Sequence, residues 1–243
     1  MSAELSASPT EKLHASLREF TDRLAAALGE DLISVTLFGG AAKDRFDPAT
    51  SDVNLMLVLK SMSVAVLDKV AGAAEATRRE LTLNLLTLTE GDLGDSAEIF
   101  PTKFLDIQRH HRTLFGREIA DAFQVPQDRL RRQAVRQLMN LHLRLRQVYL
   151  DSRSRPEALD AMIRRSLTTL LINLGILHEL KSGQPCAGTD DTLAAAAGAG
   201  LDRTRLDEFI ALKQGRRTAA VDASFYEAFM REVEAAVRLA ELR

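Results

Sequence analysis

From Pro9 to Leu28 the apolar side chains return every three or four residues, at Leu13, Leu17, Phe20, Leu24 and Leu28. That spacing puts them on one face of a helix, with Thr10 available to cap its start and Gly29 to end it. Residues 31–38 (DLISVTLF) are short, β-branched and closed by Gly39-Gly40, the pattern of a strand. Residues 53–59 (VNLMLVL) read as a second, mostly buried strand, and 81–88 (LTLNLLTL), ended by Thr89-Glu90-Gly91, as a third. Between these two, Ser61 to about Arg79 carries Val64, Leu67, Val70 and Ala74 at helical spacing. From Phe100 onward every periodic segment is helical, over roughly 102–114, 127–152, 157–181, 190–213 and 222–242.

This order predicts an α+β chain: an N-terminal α/β domain, with a small mixed sheet and flanking helices, over residues 1–119, then an all-α helical bundle over 120–243. The joint is expected between Gly116-Arg117 and Pro126. No internal repeat is visible, and the Ala-rich LAAAAGAG at 193–200 reads as a helix running into a glycine turn.

Composition narrows the partners. The 32 Lys and Arg against 34 Asp and Glu leave a formal net charge of -2, which provides no global attraction to nucleic acid or to an anionic membrane. The single cysteine, Cys186, cannot form an internal disulfide, and the N-terminal MSAELSASPTEK has no apolar core of a signal peptide. No apolar run approaches the roughly 20 residues of a bilayer span. A cytoplasmic location is therefore expected, and a membrane is not expected among the partners.

The chemistry concentrates in residues 37–58, LFGGAAKDRFDPATSDVNLMLV. Glycines at a strand end let backbone approach a triphosphate, and N–H groups of the following turn can bind its oxygens. In the next strand, alternation turns residues 52 and 54 to the same side, where both could face one metal. The stretch resembles the DNA polymerase β-like nucleotidyltransferase signature: a hydrophobic residue, Gly, then Gly or Ser, a spacer of about a dozen, and an Asp-x-Asp/Glu pair. Gly39, Gly40 and Asp52 match it; Asn54 stands where the second carboxylate belongs. The resemblance extends over residues 30–150, to bacterial proteins of that superfamily in which a DVFPxEFLDI-like stretch and an LYG-like end follow. Here they read AEIFPTKFLDI and LFG.

The resemblance implies Mg²⁺ with ATP or another NTP, held by three carboxylates, and transfer of a nucleoside monophosphate to an acceptor hydroxyl. The third carboxylate should come from the 81–88 strand, which offers Asn84 and no acid before Glu90. Asp52 is thus the one expected metal ligand, Asp52 and Asn54 fill the catalytic positions, and Gly39, Gly40, Lys43 and Ser51 are the expected nucleotide contacts. Glu90, Asp92, Asp95, Glu98 and Asp106 are the acids that could reach in from elsewhere, although Glu90 and Asp92 also suit a helix N-terminus. Asp44 and Asp47 next to Lys43 would oppose an anionic ligand. His110 and His111, flanked by Arg109 and Arg112, form a basic cluster read as helical; neighbours about 100° apart do not make a metal pair.

The helix at 127–152 turns Arg129, Arg132, Arg136 and Arg144 to one side, opposite Leu130, Ala134, Leu138, Leu141, Leu145 and Val148. Such a stripe is the solvated face of an amphipathic helix more often than a phosphate site, which speaks against nucleic acid as a partner. Arg136 and His142 also match a loose ribonuclease-like Arg-to-His spacing that any Arg-rich helix produces by chance. In related two-domain proteins the bundle helps bind the acceptor, which the sequence does not name; a protein partner and a homo-oligomer both stay open. Three functions follow: a degenerate member binding a nucleotide with weak or absent transfer, an active Mg²⁺-dependent transferase acting on a small-molecule or macromolecular hydroxyl, and a non-catalytic partner-binding protein.

Overall fold

Helix α1 (Pro9–Leu28) starts one cap earlier than the sequence suggests, at Ser8 in place of Thr10. The Glu11 amide donates to the Ser8 hydroxyl at 3.2 Å, and the Ser8 amide donates to the Glu11 carboxylate at 2.6 Å, so two end-of-helix donors are satisfied reciprocally. The computed structural model describes residues 8–43 and 51–241. Strands β1 (Leu32–Phe38) and β2 (Val53–Leu59) pair antiparallel, and β3 (Leu83–Thr89) joins β2 in parallel after a crossover through helix α2 (Val64–Thr77).

The expected helix over 102–114 is corrected by the structure. Helix α3 (Asp92–Ile99) is followed by α4 (Pro101–Arg109), which stops where His110 leaves helical backbone at φ -137° and ψ 77°. His111–Gly116 then forms strand β4, antiparallel to β1, and the sheet order is β3-β2-β1-β4. The basic cluster is divided accordingly: Arg109 ends a helix while His111 and Arg112 lie in a strand.

Each sheet face has its own core. Leu13, Leu17, Phe20, Leu24 and Leu28 of α1 pack with Val35, Leu37, Leu55 and Leu57 of the sheet and with Val66, Val70 and Ala74 of α2. On the other face Phe38, Met56, Val58 and Leu88 meet Leu93 and Ala97 of α3, and Phe104 and Ile107 of α4. Each such large side chain, fully buried, contributes about 1.5–3 kcal/mol.

Among its described residues the regular elements of the second part are helices: α5 (Gln127–Ser152), α6 (Pro156–Ser182), α7 (Thr189–Gly198), α8 (Arg203–Lys213) and α9 (Ala223–Glu241). The single helix expected over 190–213 is broken into α7 and α8, with Gly200 at φ 102° in the turn. The buried Tyr226 hydroxyl donates to the Leu145 carbonyl at 2.9 Å and ties α9 to α5; burial pushes its phenol up to about 12. Two compact units divide between Pro126 and Gln127. The sequence pattern suggests 119/120; Ile119, Ala120 and Phe123 are buried, and Ile119 and Phe123 cluster with Phe104. The chain is thus α+β, a small mixed sheet with flanking helices followed by a helical region. Among the described residues no helix is long and apolar enough to cross a membrane.

Candidate functional site

Strand β1 delivers the chain to Gly39, whose φ of 77° favours a residue without a side chain, and Gly40–Lys43 follows as a single 3₁₀ turn. The Ala42 amide donates back to the Gly39 carbonyl at 3.2 Å. A Cβ on Gly39 would lie 3.3 Å from Nδ2 of Asn54, so the glycine also makes room for that side chain. Asp44 and Asp47 lie outside the described residues.

Register then assembles one row across the sheet. Phe38 is level with Asn54 on one side and with His111 on the other, and Asn54 is level with Asn84. Partners at the same level point to the same face, which here is the face covered by α3 and α4. Asp52, two residues before Asn54, is exposed at the start of β2, with the half-buried Ser51 before it.

Asn84 lies on the strand from which the resemblance expects a third carboxylate, and it meets Asn54, which stands in place of the second. Its Nδ2 donates to Oδ1 of Asn54 at 3.0 Å. Two carboxylates at that separation repel each other and need a cation between them; two amides satisfy each other without one. Among the described residues no group of three or more His, Cys, Asp or Glu side chains is arranged to hold a metal. The described residues of this row therefore do not fit a pair of divalent cations.

The other acids are committed elsewhere or turned outward. Glu90 pairs with Arg117. Asp92 accepts from the Thr89 hydroxyl at 2.7 Å and the Thr89 amide at 2.8 Å, which hold its carboxyl below the usual range. Asp106 accepts from Lys43 Nζ at 2.6 Å and lies 3.1 Å from Nδ1 of His110. Asp95 and Glu98 are exposed on α3.

Lys43 is therefore held by α4 through Asp106, with about a third of its side chain exposed. A second cation escaped the sequence reading. Lys103 of α4 lies with its Nζ 5.7 Å from the centre of the Phe38 ring, beside the Asn54 row. It occupies the place of Glu in the DVFPxEFLDI-like pattern, and that exchange of sign was the signal available in the sequence. Next to it, His111 lies between two acceptors, the Ile107 carbonyl at 2.9 Å from Nδ1 and the Glu118 carboxylate at 3.1 Å from Nε2. Burial would raise the Glu118 carboxyl. The Ala120 amide, the Thr113 hydroxyl and His111 outweigh it and hold the group at about 2.

In the second unit Arg129, Arg132, Arg136 and Arg144 are exposed, while Leu130, Ala134, Leu138, Leu141 and Leu145 are buried, as the wheel predicts. Arg132 pairs with Asp128 at 3.2 Å, and Arg136 donates to the Gln133 side chain at 2.6 Å. His142 is 6% exposed inside the bundle, away from the solvated side that carries Arg136, so the ribonuclease-like spacing assembles no pair.

No protein-family model matches the sequence, and no curated protein matches it. Among solved structures, the crystal structure of a spectinomycin adenyltransferase from Enterococcus faecialis, with ATP and spectinomycin, is similar with a TM-score of 0.56 at 10% sequence identity. The similarity covers 94% of this chain and 99% of that one. The chain thus shares the fold of a nucleotidyltransferase.

Proposed function

We propose that the chain is a degenerate nucleotidyltransferase: it binds a nucleotide of the ATP type and transfers nucleotidyl groups weakly or not at all. One observation carries this reading: Asn54, in place of the second carboxylate, is paired at 3.0 Å with Asn84 of the strand expected to supply the third. Gly39, Gly40 and Ser51 frame the phosphate approach, Asp52 is the remaining anionic ligand, and Lys43 and Lys103 bring positive charge to the same end of the sheet. Lys103 compensates phosphate charge in the ground state, while Lys43 shares its charge with Asp106. The uncharged Asn54–Asn84 pair offers no anion to a second metal that would activate an acceptor hydroxyl, and that falls on transfer more than on binding. ATP is the first ligand to try because the adenyltransferase of like fold was crystallised with it. The domain with these residues spans 1–119 in this reading, and the acceptor is unassigned.

Calorimetry with Mg·ATP, beside a pyrophosphate-release assay over pooled small-molecule acceptors, tests the proposal. Binding in the high micromolar range and no pyrophosphate above background are expected. Asn54→Asp should tighten Mg²⁺-dependent binding, since it restores an anion while Asn84 Nδ2 keeps an acceptor. Turnover by the wild type that Asp52→Ala abolishes would establish the active transferase instead, and absence of nucleotide binding in both proteins would favour the partner-binding protein.

A further inference from the structure

Lys103 stands third in α4, and its Nζ lies 5.7 Å from the centre of the Phe38 ring. Phe38 is level with Asn54 in the β1–β2 register, so this ammonium lies beside the Asn54–Asn84 pair, on the face that α3 and α4 cover. An aromatic ring holds a cation without neutralising it, because its quadrupole carries no net charge. Asp106 follows Lys103 by three residues, close enough on the helix surface to compete for it. That carboxylate already accepts from Lys43 Nζ at 2.6 Å, and its Oδ1 lies 3.1 Å from Nδ1 of His110. Two ammonium groups thus share one carboxylate at this end of the sheet, and positive charge is left over. The row beside them offers two uncharged amides, for which Mg²⁺ gives up its water reluctantly.

We propose that Lys103 takes over the task of a metal ion, so that a nucleoside triphosphate binds here as the metal-free polyanion, more tightly than as its Mg²⁺ complex. This rests on the nucleotide reading above and deepens it. Mg²⁺ on the ligand cancels two of its negative charges, which favours carboxylates around the phosphates and weakens the pull of a lysine. Three carboxylates therefore need the metal complex, whereas amides with a lysine prefer the free anion. The exchange at position 103, Lys where the DVFPxEFLDI-like pattern has Glu, works in the same direction. Asp52 opposes the free anion, but from the exposed start of β2, where solvent and salt screen it most.

Calorimetry of the full chain with ATP, in EDTA and in millimolar Mg²⁺ at equal ionic strength, tests it, with inorganic tripolyphosphate in EDTA as a second probe. ATP should bind at least about threefold more tightly in EDTA, and tripolyphosphate should bind as well. Lys103 is exposed, so Lys103→Gln and Lys103→Glu should keep the wild-type urea midpoint. Lys103→Gln should weaken ATP in EDTA by at least about fivefold and Mg·ATP by less. Lys103→Glu should reverse the preference in favour of Mg·ATP. Lys69→Gln removes the same charge from α2, which packs on the opposite face of the sheet, and should leave both affinities unchanged. Binding that requires Mg²⁺ would overturn the proposal and leave the nucleotide reading standing. An unchanged preference in Lys103→Gln, or an equal loss in Lys69→Gln, would overturn it too. Absence of binding by either probe in both buffers would overturn the proposal and the nucleotide reading together.

Discussion

Replacing both Asn54 and Asn84 by Asp substitutes two facing carboxylates for an amide pair whose N and O atoms are 3.0 Å apart. At about 3.5 Å two unit charges repel by about 1 kcal/mol in bulk water and about 5 kcal/mol at an effective dielectric constant near 20. Asn84 is exposed and Asn54 half-buried, so the repulsion falls between those limits. The lost hydrogen bond adds about 1 kcal/mol. A deficit of about 2–4 kcal/mol is expected at pH 8 in EDTA, read as a melting point lower by about 5–15 °C. One carboxyl of the pair must have a folded pKa above its unfolded value. The deficit should therefore shrink as pH falls through that raised pKa, and remain in full above it. Millimolar Mg²⁺ should restore stability to the double variant and leave the wild type unchanged. Asn54→Asp alone should cost little, since Asn84 Nδ2 still donates to a carboxylate. A double variant as stable as wild type in EDTA at pH 8, with no extra pH dependence, would show that these side chains do not share the contact.

A Cβ on Gly116, at φ 73°, would lie 2.0 Å from the Ile33 carbonyl oxygen, so Gly116→Ala should cost at least about 3 kcal/mol in urea denaturation; an unchanged midpoint contradicts the β1–β4 register. Gly39→Val forces a β-branched residue to φ 77° and a Cβ 3.3 Å from Asn54, and should cost about 1–3 kcal/mol and remove Mg·ATP binding; retention of both stability and binding would remove the glycine turn from the site. Gln at Arg129, Arg132 and Arg136 together should change nothing in an RNA-binding titration, because the wild type itself should not bind at physiological salt; a salt-sensitive submicromolar complex contradicts this. Burial, then the charge of Arg146, hold the His142 imidazole below its usual value, and its Nδ1 has no hydrogen-bond partner among the described residues. The unfolded chain thus takes up the proton first as pH falls below about 6.5, stability drops with it, and His142→Phe should flatten that drop in urea midpoints between pH 7.5 and 5.5.

Much of the first unit was legible in the sequence because its signals are local. Leu13, Leu17, Phe20, Leu24 and Leu28 are all buried, and β2 covers the predicted residues. Strand β4 was not legible, for a definite reason: Phe104 and Ile107 set a helical period that Leu114 continues across the break at His110. What makes 111–116 a strand is pairing with β1, a contact remote in sequence and invisible to any window of residues. The cap differs because Ser8 and Thr10 are equal by residue type, and Pro9 at the first position with Glu11 at the third distinguishes them. The candidate site was half legible. Asp52, Asn54 and the glycines stand in one short segment, whereas the Asn54–Asn84 contact depends on the β2–β3 register and Lys103 enters from another helix.

Strand β3 is an outer strand of the sheet, and residues 81–89, LTLNLLTLT, contain no charge. An acid at position 84 would keep such an edge from recruiting a strand of another molecule, because stacked like charges resist alignment. With Asn there, the segment combines high β-propensity, neutrality and the absence of proline, the composition of amyloid-forming stretches. When the first unit opens on heating, intermolecular β-pairing through this edge competes with refolding.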